Sequence, residues 1–216
     1  AGLQVDLEIL QRNRDSFLET HSNEDIYIAY CEYLIQKYHM NISKEELINE
    51  RWSSVDDILK NELTYKDGVP ELLLWFKDNG FTVVLATATT QRQLDIYAKG
   101  NPHMANAFSF YDTFDLIIRK EDVQHKKPHP EVYLKVLEYY HANPEECLVF
   151  EDSLHGVMAS TGAGIETINV YDKYSDKDRL KIDSLADYKI DSYSEFMDML
   201  RGGKKYEYTK RNNEGL

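Results

Sequence analysis

The sequence predicts an α/β protein, in which a three-layer core with a parallel sheet follows an N-terminal α-helical domain. Up to about residue 63, apolar residues recur at helical spacing and no strand signal interrupts them. From residue 67 onward, short apolar runs alternate with helical segments, as parallel strands joined by crossover helices do. We therefore predict a helical domain over residues 1–65, an α/β core over 66–201 and a loose tail over 202–216.

Three helices are predicted in the first 65 residues. The segment 24–39 carries its apolar side chains at helical spacing, and a weaker helix is expected over 7–19. The helix over 43–60 begins with Ser43 and Glu46, which form the pattern of a capping box.

The rest of the chain provides five strands and the helices between them. Short apolar runs predict strands, the first three buried on both faces, over 81–86, 114–118, 147–151, 165–170 and 186–190. Helical periodicity predicts helices over 69–79, 90–99, 130–141, 154–162 and 192–200. Pro70 suits the first turn of its helix, and Gly80 is a typical stop after it.

Composition limits the classes of partner. The chain has 25 Lys and Arg against 38 Asp and Glu, a net charge of −13, which argues against broad binding to nucleic acid or to anionic membranes. The two cysteines are far apart, and neither a membrane-spanning run nor a signal-peptide pattern is found. We expect a cytoplasmic protein that is a monomer or a weak dimer.

Polar residues follow three of the predicted strands. Thr87 comes directly after the first strand, Lys127 lies in a loop after the second, and Glu151 and Asp152 end the third. In an open parallel sheet, ligands bind beyond the carboxyl ends of the strands. A hydroxyl, an ammonium and two carboxylates are therefore expected at one edge of the sheet.

Each of these residues alone also has a purely structural explanation. Thr87 could cap the following helix, Asp152 could be the N-cap of the helix over 154–162, and Lys127 could be a solvated lysine. The loop histidines His125 and His129 are expected to be exposed rather than metal ligands. The order, strand placement and residue types together favour a shared site.

Phosphoryl transfer is the chemistry that such a set suits. A phosphoryl group needs its oxygens neutralised as charge shifts in the transition state, and hydroxyl, backbone N–H and lysine groups can do this. A pair of carboxylates can hold Mg²⁺, which prefers oxygen ligands. We expect Mg²⁺ as cofactor and a small phosphorylated molecule as substrate.

Three segments carry a family resemblance: LATATT at 85–90, KKPHPEVYLKVLE at 126–138 and LVFEDSLHGVMASTGAG at 148–164. They resemble motifs II, III and IV of the haloacid dehalogenase superfamily, in its phosphatase and β-phosphoglucomutase-like subfamily. The resemblance covers residues 64–201 and implies a Rossmann-like core, with the helices before it as a cap that closes over the substrate.

The resemblance also implies roles for individual residues. Thr87 and the backbone of Ala88 would bind the transferred phosphoryl group, and Lys127 would stabilise that group and the nucleophile. Glu151 and Asp152 would serve the Mg²⁺ site, with Asp152 as the direct ligand.

The family's first motif, a strand ending in D-x-D-x-[TV], is not found. In the family its first Asp forms an aspartyl-phosphate and its second is the general acid and base. Asp6 is the nearest candidate, but Glu8 stands where the second Asp would be. In the family fold this strand lies between the strands that end at Thr87 and Glu151. We therefore expect it on a segment before Ala1, so that the intact protein is heavier than 25.3 kDa.

Two classes of function follow. The first is a Mg²⁺-dependent phosphohydrolase that acts on a small phosphorylated metabolite, such as a sugar phosphate, through an aspartyl-phosphate; a phosphomutase like β-phosphoglucomutase is its close variant. The second is a non-catalytic protein that keeps the fold for binding. The missing motif favours the second class, whereas the retained Thr87, Lys127, Glu151 and Asp152 favour an enzyme.

Overall fold

The computed structural model describes residues 13, 14, 16, 17 and 26–202. It divides into two compact units, one up to Ile58 and one from Leu59 onward, and the division falls within a helix. The tail beyond residue 202, most of the helix predicted over 7–19 and Asp6 lie outside the described residues. Within the described part of the chain, no helix is long and apolar enough to cross a membrane.

The first unit contains helix α1 and most of helix α2, at Ile26–Lys37 and Lys44–Asn61. Tyr30 and Cys31 are buried on α1, and Leu47 is buried on α2. The predicted capping box is present: the Glu46 carboxylate accepts from the Ser43 N–H, and the Ser43 hydroxyl accepts from the Glu46 N–H.

The second unit alternates helices and strands. Its strands, β1 to β5, are Val84–Ala86, Leu116–Ile118, Leu148–Glu151, Glu166–Val170 and Tyr188–Ile190. Its α-helices, α3 to α10, are Val69–Asp78, Gln91–Asp95, Pro102–Ala105, Phe110–Thr113, Glu131–Tyr140, Leu154–Gly162, Arg179–Leu185 and Tyr193–Gly202. All strand pairs are parallel, in the orders β1-β2 and β3-β4-β5.

Helices cover both faces of the strands, which confirms the predicted three-layer α/β class. On β3, Val149 packs into the cluster that α7 and α8 form, with Val132 and Ala159 at its centre. The next residue, Phe150, points to the opposite face and contacts Phe196 of α10. This alternation is what a strand between two helical layers requires.

Some sequence predictions need correction. Burial on both faces was predicted for the first three strands, but β1 and β2 are mostly half-buried and Leu148 of β3 is 41% exposed. The strand that is buried along most of its length is β4, for which no such burial was predicted. The helix predicted over 90–99 is α4 followed by a π-helical turn at Ile96–Gly100, and the sequence analysis missed helix α9. The side chains of β1 and β3 are less buried than predicted because each of these strands pairs with a strand on one side alone, within the described residues.

Each of β1 and β3 has one edge without a strand partner within the described residues. Here β1 pairs only with β2, and β3 only with β4. The strands nevertheless share a core, because Ala86 and Val149 pack on the same cluster. Within the described residues, β1 and β3 thus border the same core, and each has one edge whose backbone N–H and C=O groups have no strand partner.

Candidate active site

Thr87 lies one residue beyond β1, where it extends the strand pairing. Its N–H donates to the carbonyl of Ile118 at 2.9 Å, and its hydroxyl oxygen accepts from the N–H of Thr89 at 3.0 Å. Thr90, not Thr87, is the N-cap of α4, and it forms a capping box with Gln93. Thr87 is therefore not needed as a cap, and its hydroxyl proton can be donated to a ligand.

Lys127 is drawn inward from its loop. Its side chain is only 13% exposed, and its ammonium donates to the Ala86 carbonyl at 3.0 Å, to the Tyr133 hydroxyl at 3.0 Å and to the Glu151 carboxylate. Ala86 ends β1 and Glu151 ends β3. The lysine thus joins the carboxyl ends of both strands, and the alternative of a solvated lysine is wrong.

Glu151 is held in place from three sides. Lys127 and the Tyr133 hydroxyl both donate to its Oε1, and the side chain is 10% exposed. Its carboxylate lies against Gly156 of α8, where a Cβ would come within 1.9 Å of Oε2. The glycine in the segment EDSLHG is therefore required by the position of the Glu151 carboxylate.

Asp152 faces a second lysine. Its Oδ2 lies 2.8 Å from the ammonium of Lys66, which also lies 2.5 Å from Oδ2 of Asp172, two residues beyond β4. Ser153, not Asp152, caps α8 by accepting the N–H of Gly156. The alternative of an N-cap at Asp152 is therefore wrong, and its carboxylate is directed to a cation instead.

The charges of these groups affect one another. Burial disfavours the charged form of Lys66, but hydrogen bonds to Asp152 and Asp172 outweigh it and raise the pKa of Lys66. Burial, followed by the nearby charge of Glu151, raises the pKa of Tyr133, and burial together with Asp152 and Glu151 raises that of Tyr193. Both phenols therefore stay protonated, so Tyr133 acts as a hydrogen-bond donor to Glu151.

A small depression opens beside the end of β1. Its lining residues are Thr87, Ala88, Lys120, Val123, Lys126, Lys127 and Val132. Three lysines and a threonine around one depression favour an anionic ligand, although the whole chain is acidic.

Of the residues predicted from the sequence, Thr87, Ala88 and Lys127 line one depression and Lys127 also pairs with Glu151, whereas Asp152 pairs with Lys66. Lys127 contacts Ala86, the residue before Thr87, and it also contacts Glu151. Asp152 is the first residue after β3. The sequence analysis missed Tyr133, Lys66 and Asp172. Asp172 could have been found, because it follows a fourth predicted strand as Thr87 follows the first. No local signal distinguishes Tyr133 from a core residue of its helix.

The donor set fits a hard divalent cation. Asp152 and Asp172 come from the ends of neighbouring strands, and their oxygens already converge on one positive charge, the ammonium of Lys66. Carboxylate oxygens are the ligands that Mg²⁺ prefers. Glu151 offers a further carboxylate beside Asp152, although it is engaged by Lys127.

The chain is similar to known proteins over most of its length. A family described as haloacid dehalogenase-like hydrolase matches residues 16–170, more than two thirds of the chain. Among curated proteins, the "Putative phosphatase YhcW" of Bacillus subtilis is 28% identical over 74% of this chain and 71% of its own length. The "Phosphorylated carbohydrates phosphatase" of Thermotoga maritima is 34% identical over 58% of this chain and 53% of its own length.

Solved structures agree with the fold. The crystal structure of a "putative beta-phosphoglucomutase" from Thermotoga maritima superposes with a TM-score of 0.69 and 25% identity, covering 93% of this chain and 85% of that one. The matched segment spans about half to seven tenths of the length of the two curated relatives.

Proposed function

Because the chain belongs to the haloacid dehalogenase-like hydrolase family, we propose that it is a Mg²⁺-dependent phosphohydrolase of small phosphorylated metabolites. The family and the hydrolase class predicted from the sequence are confirmed. The observation that supports the phosphoryl chemistry best is the position of Lys127, whose ammonium joins Ala86, next to Thr87, to Glu151.

In this proposal the phosphoryl group lies at the end of β1. The Thr87 hydroxyl and the Ala88 backbone donate hydrogen bonds to its oxygens, and Lys127 neutralises charge that develops in the transition state. Lys120 and Lys126 line the same depression and draw the anionic substrate toward it. Tyr133 and Glu151 hold the Lys127 ammonium in its position.

The nucleophile is proposed to arrive on a further strand. The unpaired edges of β1 and β3 would each pair with a parallel strand placed between them. The carboxyl end of such a strand would lie beside Thr87 and Lys127, where an aspartate could attack phosphorus and form an aspartyl-phosphate. The P–O bond to the substrate's alcohol would break as that oxygen takes a proton from the second aspartate of the motif, and water would then hydrolyse the aspartyl-phosphate to inorganic phosphate. None of the described residues supplies that strand.

Mg²⁺ is proposed to bind at Asp152, with Glu151 and Asp172 nearby. When bound, it would neutralise phosphate charge at this edge of the sheet. Lys66 balances the charge of Asp152 and Asp172 in its absence.

The substrate class proposed is a phosphorylated sugar or similar metabolite. The support is a relative whose name gives phosphorylated carbohydrates as its substrates. A phosphomutase is the second candidate, supported by the likeness to the structure from Thermotoga maritima described as a β-phosphoglucomutase.

The test is turnover of p-nitrophenyl phosphate and a panel of sugar phosphates by the protein in its natural full length. We expect phosphate release with Mg²⁺ and none with a chelator, and a loss of roughly 10²-fold or more in Lys127→Met and Asp152→Asn. Lys181→Met, at an exposed position of α9, is the matched control and should keep full activity.

The result also separates the alternatives. Conversion of a sugar 1-phosphate to its 6-phosphate without release of inorganic phosphate, followed by ³¹P NMR, would indicate the phosphomutase. Absence of any Mg²⁺-dependent turnover across the panel would overturn the proposal in favour of a non-catalytic binding protein.

A further inference from the structure

Three side chains with metal-binding atoms gather at the loop that carries Lys127. They are His125, His129 and Glu131, whose ligand atoms all lie within 4.8 Å of one another. The two imidazole rings are tilted by 32° to each other, with centroids 4.6 Å apart. Both histidines are exposed, as the sequence predicted, but they are not isolated from each other.

The carboxylate of this cluster is fixed. Glu131 is the first residue of α7, and its two oxygens accept the backbone N–H groups of Gln124 at 2.8 Å and His125 at 2.7 Å. These two hydrogen bonds are the main cause that lowers the pKa of Glu131 to about 2, so the group is ionised at neutral pH. The ring Nδ1 of His125 lies 2.9 Å from Oε2 of the same carboxylate.

The imidazoles are free to adjust. The His125 side chain is 63% exposed, and Nδ1 of His129 accepts only a 3.2 Å hydrogen bond from the Glu131 N–H. A tetrahedral metal with bonds of about 2.1 Å needs ligand atoms roughly 3.4 Å apart. Small rotations of two exposed rings can close the difference from the observed spacing, at little cost in packing.

We propose that His125, His129 and Glu131 form a binding site for a borderline divalent transition-metal ion of the Zn²⁺ class. Two imidazoles and one carboxylate suit Zn²⁺ rather than Mg²⁺, so this site differs in chemistry from the carboxylate site at Asp152. Three protein ligands leave the fourth position to water. Lys135, whose ammonium lies 3.5 Å from Oε1 of Glu131, is a positive charge that would compete with the ion.

A metal ion bound at this place would affect the position of Lys127 in the neighbouring candidate active site. The ligands stand on both sides of Lys127 in the chain, and Glu131 begins the helix that carries Tyr133. A bound ion would tie the loop to the start of α7 and so restrain the segment that positions the lysine. Binding does not depend on the function proposed above.

The test is a titration of the untagged, natural full-length protein with Zn²⁺ and Co²⁺ in buffer that contains excess Mg²⁺. We expect one Zn²⁺ per chain by calorimetry with a dissociation constant on the order of micromolar, a rise in the unfolding temperature, and the visible absorption of tetrahedral Co²⁺. Excess Mg²⁺ competes with Zn²⁺ for the proposed carboxylate site at Asp152.

The variants make the test specific. His125→Ala with His129→Ala should lower the affinity at least 100-fold and abolish the Co²⁺ absorption, and because both rings are exposed the fold is retained. His103→Ala, an exposed histidine of α5, is the matched control and should bind as the wild type does. Equal stoichiometry and affinity in the double variant and the wild type would overturn the proposal, whatever the phosphatase assay gives.

Discussion

The carboxylate of Glu151 occupies the space that a side chain at Gly156 would need. A Cβ at Gly156 would lie 1.9 Å from Oε2 and 2.1 Å from Cδ of Glu151, far inside van der Waals contact. The flexible end of a glutamate can often move aside, but here Lys127 and Tyr133 hold it. The first turn of α8 and the ion pair at the end of β3 are thus coupled through one glycine.

Gly156→Ala is therefore expected to displace the Glu151 carboxylate and break its bonds to Lys127 and Tyr133. We expect a loss of about 1–3 kcal/mol in the free energy of unfolding, as for other overpacked sites, measured by urea denaturation. Gly162→Ala on the same helix is the control, because a Cβ at Gly162 would lie 3.6 Å from its nearest neighbour, Pro130, which is an ordinary van der Waals contact. Equal stability of the two variants would contradict the coupling.

The convergence of the site could be predicted from the sequence because it follows from strand order alone. The carboxyl ends of parallel strands lie at one edge of the sheet. Recognising three short apolar runs as strands was therefore enough to predict that Thr87, Lys127 and Glu151 lie near each other. Their partners could not be predicted in the same way. Lys66 pairs with Asp172, which lies 106 positions further along the chain. Tyr133 differs from other core tyrosines through its hydrogen bond to Glu151, which the sequence does not indicate.

The strands show the limit of the sequence pattern more clearly. An apolar run such as the one at 147–151 predicts burial on both faces, because such a pattern is typical of a central parallel strand. The structure leaves Leu148 exposed, since β3 has no strand partner on one side within the described residues. The sequence pattern indicates what a strand is suited to pack against, and it does not indicate whether that neighbour is present.

Tyr133→Phe tests the role of the hydroxyl at the ion pair. The change removes a donor to Glu151 and an acceptor for Lys127 while the ring stays packed. We expect a loss of about 1–2 kcal/mol in the free energy of unfolding, because a buried charged pair loses one hydrogen-bond partner. Phosphate release is also expected to fall several-fold, because Lys127 is held less firmly.

The matched control for this change is Tyr139→Phe, on the same helix, whose residue is 64% exposed. Its free energy of unfolding should stay within about 0.5 kcal/mol of the wild type. If both variants behave alike, the hydroxyl of Tyr133 does not stabilise the Lys127–Glu151 pair.

Asp115→Asn is expected to change the pH dependence of stability. Hydrogen bonds from the Lys77 ammonium at 2.6 Å and the Val83 N–H at 2.8 Å lower the pKa of Asp115 below its usual 3.8. A carboxylate with a lowered pKa stabilises the folded state above its unfolded pKa, and this contribution is lost as the pH falls through the folded value.

The variant should therefore be less stable than the wild type by roughly 1 kcal/mol at neutral pH, a modest value because the pair is partly exposed. The difference should shrink as the pH is lowered below about 3.8. Urea denaturation across this range measures it, with Asp78→Asn at the exposed end of α3 as the control. A difference that stays constant with pH would exclude the ion pair as its cause.

Lys66→Met tests whether the lysine competes with a metal ion for Asp152 and Asp172. The ammonium lies 2.8 Å and 2.5 Å from these carboxylates, so its removal leaves two negative charges without their shared cation. Without Mg²⁺ the variant should lose about 1 kcal/mol of stability, since the pair is partly exposed. The affinity for Mg²⁺ should change in the opposite direction. Because a positive charge beside the site is lost, Mg²⁺ should bind roughly five- to tenfold more tightly. Calorimetric titration measures this, with Lys181→Met as the control, and unchanged or weaker binding in Lys66→Met would show that the lysine does not compete with the ion.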